Sequence, residues 1–501
     1  MRIAAIDIGS NSIRATIVET TPDGAYRVID DEREQTRLAE GLAERDSLSA
    51  EAIERTLTAL ERLLALVRSH KADVVRAVAT AAVRSAANGQ DLARAAEERL
   101  GLTIEIISAA EEGRLAFVSA ARHFELAGPV VVMDIGGGSL EVVRATGREI
   151  ERIESFPLGS VVMSERLTDA RRPIPPEELK DLRKHVRREL RGRFGHPEPV
   201  ALVVGSGGTV TTIAEVTAKA RREEFEDLQG YEFTQADVVH RIASLAEMDQ
   251  AARAKVPGLP PYRADVIVAG MVVVREVMRL FSANRMAVNT QGLREGLVLD
   301  MLARADVAPE TVDRMVAVRD FGVRCGYDRI HAQQVARLAL SLYDGLALPR
   351  GRDRELLEVA ATLHDVGYYI DYAKHHRHSR HLIAHASLPG LTPRERDLVA
   401  TIARYHTGAM PKLRHDEYAR LGPEDRARVD LLGGILRLAD GLDRGRVSRV
   451  RDLRVMRSAE AVTIEAVSTD DLTVEVYGAL KKSDLLAHAL GVPVQVTGVR
   501  E

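Results

Sequence analysis

The sequence has 501 residues, which exceeds what one hydrophobic core usually supports, so we expect three or four domains. Lys and Arg total 70 and Asp and Glu total 74, for a net charge of −4, and this near balance argues against a nucleic-acid-binding protein. The single cysteine, Cys325, excludes an intramolecular disulfide and a cysteine-based zinc cluster.

The sequence also predicts where the protein works. No apolar run is long enough to cross a bilayer, and the chain opens on a strand pattern without a basic leader. A single cysteine agrees with a reducing compartment. We therefore expect a cytoplasmic protein with neither a membrane nor a nucleic-acid partner.

The first 302 residues alternate strand patterns with amphipathic helix patterns, as α/β domains do. The strand patterns of residues 1–125 read RIAAIDIG, IRATIVE, VVRAVAT and TIEIIS, and residues 49–71 carry a long helix pattern. The alternation restarts at GPVVVMDIGGGSLEVV, residues 128–143. This repeated opening predicts two related lobes, 1–125 and 126–302, facing each other across a cleft.

The last 200 residues have a different character. Continuous helix patterns fill residues 303–447, for example AQQVARLALSLYDGL, RELLEVAATLHDVGYYIDYA, PRERDLVATIARYH and RVDLLGGILRLADGLDRG. Strand patterns then return as LRVMRS, AVTIEAVS, LTVEVYGA and VPVQVTGV. The sequence predicts an all-α domain over 303–447 and a small α/β domain over 448–501.

Three glycine-rich turns each follow an apolar strand pattern in the two lobes. Glycines there let an anion approach main-chain N–H groups closely, although a tight hairpin also explains the first two turns. Three such turns together favour one shared polyanion. The candidate phosphate-binding residues are Ser10 and Asn11 in the first turn, Gly136, Gly137, Gly138 and Ser139 in the second, and Gly205, Ser206, Gly207, Gly208 and Thr209 in the third.

Five motifs occur in an order and spacing that resemble one enzyme family. They are AIDIGSNS, ATAAVRSAANG, IISAAEEGRLAF, DIGGGSLE and VGSGGT. They resemble the exopolyphosphatase and guanosine pentaphosphate phosphohydrolase family, whose actin-like (ribonuclease H-like) fold belongs with the sugar kinases and chaperone ATPases. The helical region with LHDVGYYIDYAKHHRHSRHLI looks like that of the longer members, so the resemblance covers almost the whole chain.

Carboxylates near the turns are the candidate metal-binding and catalytic groups. Asp7 and Asp134 each end a strand pattern before a glycine turn, where they suit Mg²⁺ or Mn²⁺. The resemblance implies that Glu112 is the catalytic base, although acids in a first helical turn also suit the helix dipole. It further implies that Glu141 holds metal or water, the alternative being a solvent-facing strand residue. It also implies that Arg84 binds phosphate oxygens, the alternative being a surface arginine.

The helical region contains a second candidate metal site. His331, then His364 and Asp365 adjacent on a predicted helix, then Asp440 on another helix follow the order that resembles the HD phosphohydrolase superfamily. Imidazole with carboxylate suits a divalent metal, so a second ion is expected here, and capping and core histidines are the alternative. Six further histidines lie in the same region: His375, His376, His378, His381, His385 and His406.

The function predicted first is hydrolysis of the terminal phosphoanhydride of inorganic polyphosphate. Guanosine pentaphosphate is the alternative substrate, because it offers the same terminal group. An ATP-driven kinase or machine, and a nucleotide phosphohydrolase or sensor in the helical region, are alternatives of other classes. We also expect a homodimer, the commonest assembly.

Overall fold

The chain divides into two compact units, Met1–Thr311 and Val312–Glu501. The computed structural model describes residues 1–20, 26–304 and 314–501, so the boundary between the units lies outside the described residues. The predicted division of each unit into two domains stays a prediction. Within the described ranges, no helix combines the length and the apolar composition that crossing a membrane requires.

The first half of the first unit is built on a five-stranded sheet in the order β3-β2-β1-β4-β5. Strand β1 is buried along nearly its whole length, which explains its continuous apolar run. The strands are β1 (Arg2–Ile8), β2 (Ser12–Thr20), β3 (Tyr26–Gln35), β4 (Val74–Ala79) and β5 (Ile104–Ile106). The helices are α1 (Leu42–Arg45), α2 (Ala50–Ser69), α3 (Ala81–Ser85), α4 (Gly89–Leu100) and α5 (Ala109–His123).

The second half is built on a six-stranded sheet in the order β10-β11-β9-β6-β7-β8. Its strands are β6 (Pro129–Ile135), β7 (Leu140–Thr146), β8 (Glu149–Phe156), β9 (Leu202–Ser206), β10 (Glu232–Thr234) and β11 (Arg285–Val288). Its helices are α6 (Ser160–Ser164), α7 (Pro176–Phe194), α8 (Gly208–Arg221), α9 (Gln235–Ala246), α10 (Gln250–Arg253), α11 (Ile267–Leu280) and α12 (Gly292–Arg304).

The two sheets repeat one topology, as the sequence predicts. Each sheet begins with three consecutive antiparallel strands. The first of these strands also pairs in parallel with the strand that follows a helical segment, β1 with β4 and β6 with β9. The register places Asp7 opposite Arg14 in the first hairpin and Asp134 opposite Glu141 in the second. The repeat therefore puts a strand-end carboxylate at the same place in both lobes.

The second unit is mostly helical and ends in a three-stranded sheet. Its helices are α13 (Arg314–Arg324), α14 (Arg329–Gly345), α15 (Arg352–Leu363), α16 (His375–Ala384), α17 (Pro393–Arg404), α18 (Asp416–Ala419), α19 (Pro423–Gly441), α20 (Thr473–Lys481) and α21 (Asp484–Leu490). Its strands are β12 (Asp452–Arg457), β13 (Val462–Ser468) and β14 (Val494–Arg500), with β13 in the centre. The helices and this sheet share one apolar core.

Two local predictions for this unit are wrong. The segment LTVEVYGA alternates like a strand but forms helix α20, whose Gly478 packs directly on the main chain at Gly441 of α19. The sequence predicts His364 and Asp365 side by side on a helix. Helix α15 instead ends at Leu363, and a 3-10 turn begins after Asp365, so the pair lies at the helix end.

Candidate functional site

The three glycine turns converge on one cavity of about 490 Å³ in the first unit. The turn between β1 and β2, the turn between β6 and β7, and the start of α8 all line it. Predicted residues on its wall are Asp7, Ser10, Asn11, Glu112, Asp134, Gly136, Gly137, Gly138, Ser139, Glu141, Gly207 and Gly208. The predicted cleft between related lobes is therefore present.

Three predicted phosphate-binding residues do not line this cavity. Gly205 packs against Val210 and Met286, and the Ser206 hydroxyl donates to the main-chain oxygen of Met133 at 3.2 Å. Thr209 is 1% exposed and lies against α11. They lie behind the wall because β9 is an inner strand of its sheet, whereas Gly207 and Gly208 of the same turn line the cavity.

Gly207 is required by its backbone conformation and by a close main-chain approach, and Gly208 leaves room for an arginine side chain. Gly207 has φ +93°, and a Cβ there would lie 2.3 Å from the main-chain oxygen of Ile135. A Cβ on Gly208 would overlap the guanidinium of Arg263. A cationic group thus lies directly against the turn, as a site for phosphate oxygens requires.

Four carboxylates gather at the cavity, and burial raises the pKa of each. Burial raises the pKa of Asp7 to about 6 and that of Glu112 to about 7. Burial also raises the pKa of Asp134 to about 6, and the neighbouring Asp7 charge contributes to this rise. Burial and the neighbouring Glu112 raise the pKa of Glu141 well above its usual range. Such a cluster destabilises itself when fully ionised, so a cation that neutralises it is favoured.

A divalent cation fits this cluster on the observed geometry. The Oδ1 atom of Asp7 is buried and has no hydrogen-bond partner among the described residues. The glycines beside Asp134, Gly207 and Gly292, have no side chains to fill the space next to its carboxylate. Carboxylate oxygens with space for water and substrate oxygens are what Mg²⁺ prefers.

Glu112 lies in the first turn of α5, whose N-cap Ser108 accepts a hydrogen bond from the main-chain N–H of Glu111. Its Oε2 atom accepts a hydrogen bond from Arg84 at 2.8 Å, and Arg84 also donates to the main-chain oxygen of Ile107. The same guanidinium lies 4.0 Å from Glu141, which also lines the cavity. Arg84 therefore holds Glu112 in place, and its contact with phosphate oxygens stays a prediction.

Glu141 is 1% exposed and accepts hydrogen bonds from the hydroxyls of Ser139 and Ser155. These bonds fix its carboxylate at the cavity beside Glu112. A solvent-facing strand residue, the alternative considered for it, is excluded by this burial.

Sequence reasoning missed the arginines of the cavity, which line it from both lobes: Arg14, Arg33, Arg37, Arg171, Arg263 and Arg294. Arg14 was predictable from the sequence, because the hairpin register places it opposite Asp7. The others come from distant parts of the chain and carry no local signal. Together they offset the negative charge of a polyphosphorylated ligand.

The helical unit brings its four predicted metal ligands together. The Nε2 atom of His331 lies 3.3 Å from Asp440 Oδ1 and 3.7 Å from Asp365 Oδ2, and His364 Nε2 lies 3.6 Å from Asp365 Oδ1. Both imidazoles are buried, and their Nε2 atoms have no hydrogen-bond partner among the described residues. Ordinary core histidines would have those nitrogens satisfied.

Repeated actin-like lobes that close glycine turns and carboxylates on one cavity define the class of protein: a phosphoryl-handling enzyme of the actin-like fold. The model of the Ppx/GppA phosphatase family matches residues 16–305, and that of Ppx/GppA phosphatase domain III matches residues 314–491. The chain belongs to the Ppx/GppA phosphatase family and is a phosphoanhydride hydrolase.

Solved structures agree with this assignment. The Aquifex aeolicus member of the Ppx/GppA family is 30% identical, with a TM-score of 0.54, over 61% of this chain and 98% of that one. An exopolyphosphatase from Cytophaga hutchinsonii is 25% identical, with a TM-score of 0.57, over 62% of this chain and all of that one.

Proposed function

We propose that the cleft hydrolyses the terminal phosphoanhydride of inorganic polyphosphate and releases orthophosphate. The observation that carries this proposal is the position of Glu112, a buried acid on the wall of a cavity that glycine turns and arginines from both lobes also line. Phosphoanhydride hydrolysis needs a base for water, donors for the phosphoryl oxygens and positive charge around them.

Each group has a role in the proposed reaction. Glu112 takes a proton from the attacking water, and its pKa of about 7 suits a base that works near neutral pH. Arg84 and the helix start at Ser108 keep its carboxylate in place. As the water oxygen bonds to the terminal phosphorus, the bond to the bridging oxygen breaks, and the shortened polyphosphate leaves.

The remaining groups bind the substrate. Main-chain N–H groups of the glycine turns would hold the terminal phosphoryl oxygens, and the cavity arginines would neutralise the following phosphates. Asp7 and Asp134 would hold Mg²⁺ or Mn²⁺, with Glu141 beside them. A bound divalent ion would supply charge neutralisation at the phosphoryl oxygens.

The cavity lining favours polyphosphate over guanosine pentaphosphate. Among the described residues of the wall, Tyr262 is the single aromatic side chain. The guanidinium groups of Arg33 and Arg263 lie over its ring, 5.2 and 5.6 Å from the centroid. These guanidinium groups would compete with a guanine base for the ring, whereas a phosphate chain could pair with them directly.

The experiment is a comparison of phosphate release from long polyphosphate and from guanosine pentaphosphate, each with Mg²⁺ or Mn²⁺ and without an acceptor. We expect the higher kcat/KM on polyphosphate. A higher value on the nucleotide would replace polyphosphate by the alternative substrate, and release that requires an acceptor would favour a kinase. The homodimeric state and the cytoplasmic location stay predictions.

A second candidate function is divalent-metal binding in the helical unit by His331, His364, Asp365 and Asp440. It is supported by the clustering of the ligand atoms of His331, His364 and Asp440, by the approach of Asp365 to both histidines, and by the two buried imidazole nitrogens without partners among the described residues.

A further inference from the structure

We propose that the helical unit binds two divalent transition-metal ions side by side, with Asp365 shared between them and with His375 and His406 as the additional ligands of the second ion. This inference rests on the second candidate function, the four-residue metal site, and extends it to a two-ion centre.

The first subsite consists of His331, His364 and Asp440, whose ligand atoms all lie within 4.8 Å of one another. Asp440 Oδ1 lies 3.3 Å from His331 Nε2 and 3.9 Å from His364 Nε2. Metal–ligand bonds of about 2.0–2.2 Å place neighbouring ligand atoms about 3.0–3.5 Å apart, so small side-chain adjustments close this shell on one ion. Asp365 approaches the same two imidazoles at 3.6 and 3.7 Å.

The second subsite consists of Asp365, His375 and His406, again with all ligand atoms within 4.8 Å. Asp365 Oδ1 lies 3.5 Å from His375 Nε2 and 3.4 Å from His406 Nε2, and these two nitrogens lie 3.1 Å apart. These separations match the edges of a metal coordination shell. Asp365 therefore contacts both subsites and is placed to bridge two ions.

All four imidazoles are oriented in the same way. Each donates its Nδ1–H to an acceptor at 2.7 to 3.1 Å, which leaves the Nε2 lone pair directed at the centre. This pattern of outer hydrogen bonds is characteristic of histidines that bind metal, because it fixes the ring and its tautomer. The acceptors are the Asp443 carboxylate for His331 and the main-chain oxygens of Ala361, Tyr372 and Ala403 for His364, His375 and His406.

Two cationic side chains each contact one oxygen of a ligand carboxylate. Arg446 donates to Asp365 Oδ2 at 2.6 Å, and Lys482 donates to Asp440 Oδ2. The other oxygens, Asp365 Oδ1 and Asp440 Oδ1, face the imidazole nitrogens. Mixed imidazole and carboxylate ligands suit Mn²⁺, Fe²⁺, Co²⁺ or Zn²⁺ better than Mg²⁺.

The test uses the full-length protein, stripped with a chelator, reloaded with Mn²⁺ and washed free of excess metal. The metal content is then measured by mass spectrometry, and an electron paramagnetic resonance spectrum is recorded. We expect an exchange-coupled spectrum of two adjacent Mn²⁺ ions in the unaltered protein. The double variant His375→Ala with His406→Ala should bind one ion fewer per chain and show only isolated Mn²⁺. An ion bound in the cleft adds equally to the metal content of the unaltered protein and of the double variant. The difference between the two therefore reports the helical unit alone.

The control is His381→Ala with His385→Ala, two exposed histidines in or next to the same helix, α16, which should leave both readouts unchanged. A spectrum of isolated Mn²⁺ in the unaltered protein would overturn the two-ion proposal whatever the variants do. If the helical unit of the unaltered protein binds one ion and His331→Ala removes it, only the four-residue metal site is supported. If His331→Ala and the double variant both leave the metal content unchanged, the four-residue site fails too.

Discussion

At the scale of single residues, Glu112 and Arg84 form the pair on which the proposed chemistry depends. The Glu112 carboxylate is buried, which raises its pKa, and the guanidinium of Arg84 at 2.8 Å opposes that rise. The arginine thus does two things: it fixes the position of the base and keeps part of it ionised near neutral pH.

Replacement of Arg84 by Met should therefore shift the pH dependence of polyphosphate hydrolysis. Without the guanidinium, the pKa of Glu112 rises further, and at pH 6 a rise of about one unit lowers the ionised fraction about tenfold. We expect the acidic limb of kcat against pH to move to higher pH in Arg84→Met, with partial recovery in Arg84→Lys. A parallel loss at every pH, with no shift of the limb, would contradict this role.

At the scale of secondary-structure elements, helices α5 and α12 cross in close contact. A Cβ on Gly296 would lie 2.0 Å from the main-chain oxygen of Leu115, so the helices can approach this closely only with glycine there. Next to it, the buried Glu295 accepts hydrogen bonds from Tyr26 and Ser119. Because α5 also carries Glu112, this crossing positions the base.

Gly296→Ala should destabilise the protein by about 1–3 kcal/mol, because the added methyl group forces the two helices apart. The measurement is the free energy of unfolding from denaturant titration. Gly192→Ala is a matched control inside helix α7, where, apart from the neighbouring residues and backbone of its own helix, no atom of the described residues lies within 4 Å of the position that a Cβ would take. Alanine there should stabilise the protein by up to about 1 kcal/mol. Equal effects of the two changes would show that the helix crossing is not tight.

The same elements show what the sequence could and could not predict. The two hairpins and the strand before α8 were predictable, because an apolar run that stops at an acid and glycines has a direct physical explanation. Helix α20 was not, because its alternating pattern fits a strand, whereas the packing of Gly478 on Gly441 of α19 is a tertiary contact that no local pattern reveals. The cavity arginines were missed because tertiary folding, and no sequence spacing, brings Arg171 and Arg263 to the cavity.

At the scale of the whole molecule, the cleft concentrates buried acids whose ionisation works against folding. The pKa values of Asp7, Asp134 and Glu112 are raised, so the folded state keeps protons that the unfolded state releases. Their contribution to stability is therefore greatest below about pH 4 and is lost as pH rises through about 6 to 7. A divalent cation that binds the ionised cluster offsets this loss.

Saturating Mg²⁺ should accordingly raise the unfolding temperature more at pH 8 than at pH 5, which differential scanning calorimetry can measure. At a hundred times the dissociation constant, the added stability is about 2.7 kcal/mol. The double variant Asp7→Asn with Asp134→Asn should lose most of the effect. An equal Mg²⁺ response at both pH values, or one retained in the variant, would show that the cation binds elsewhere.

The most direct test of the whole account is the rate of phosphate release from polyphosphate by Glu112→Gln, compared with Glu111→Gln in the same helical turn. Glu111 pairs with Arg114 at 2.7 Å and is not on the cavity wall, so it reports any general effect on α5. We expect Glu112→Gln to lower kcat by about 10²–10⁴-fold and Glu111→Gln to stay within a few-fold of the unaltered enzyme. Full activity in Glu112→Gln would contradict it.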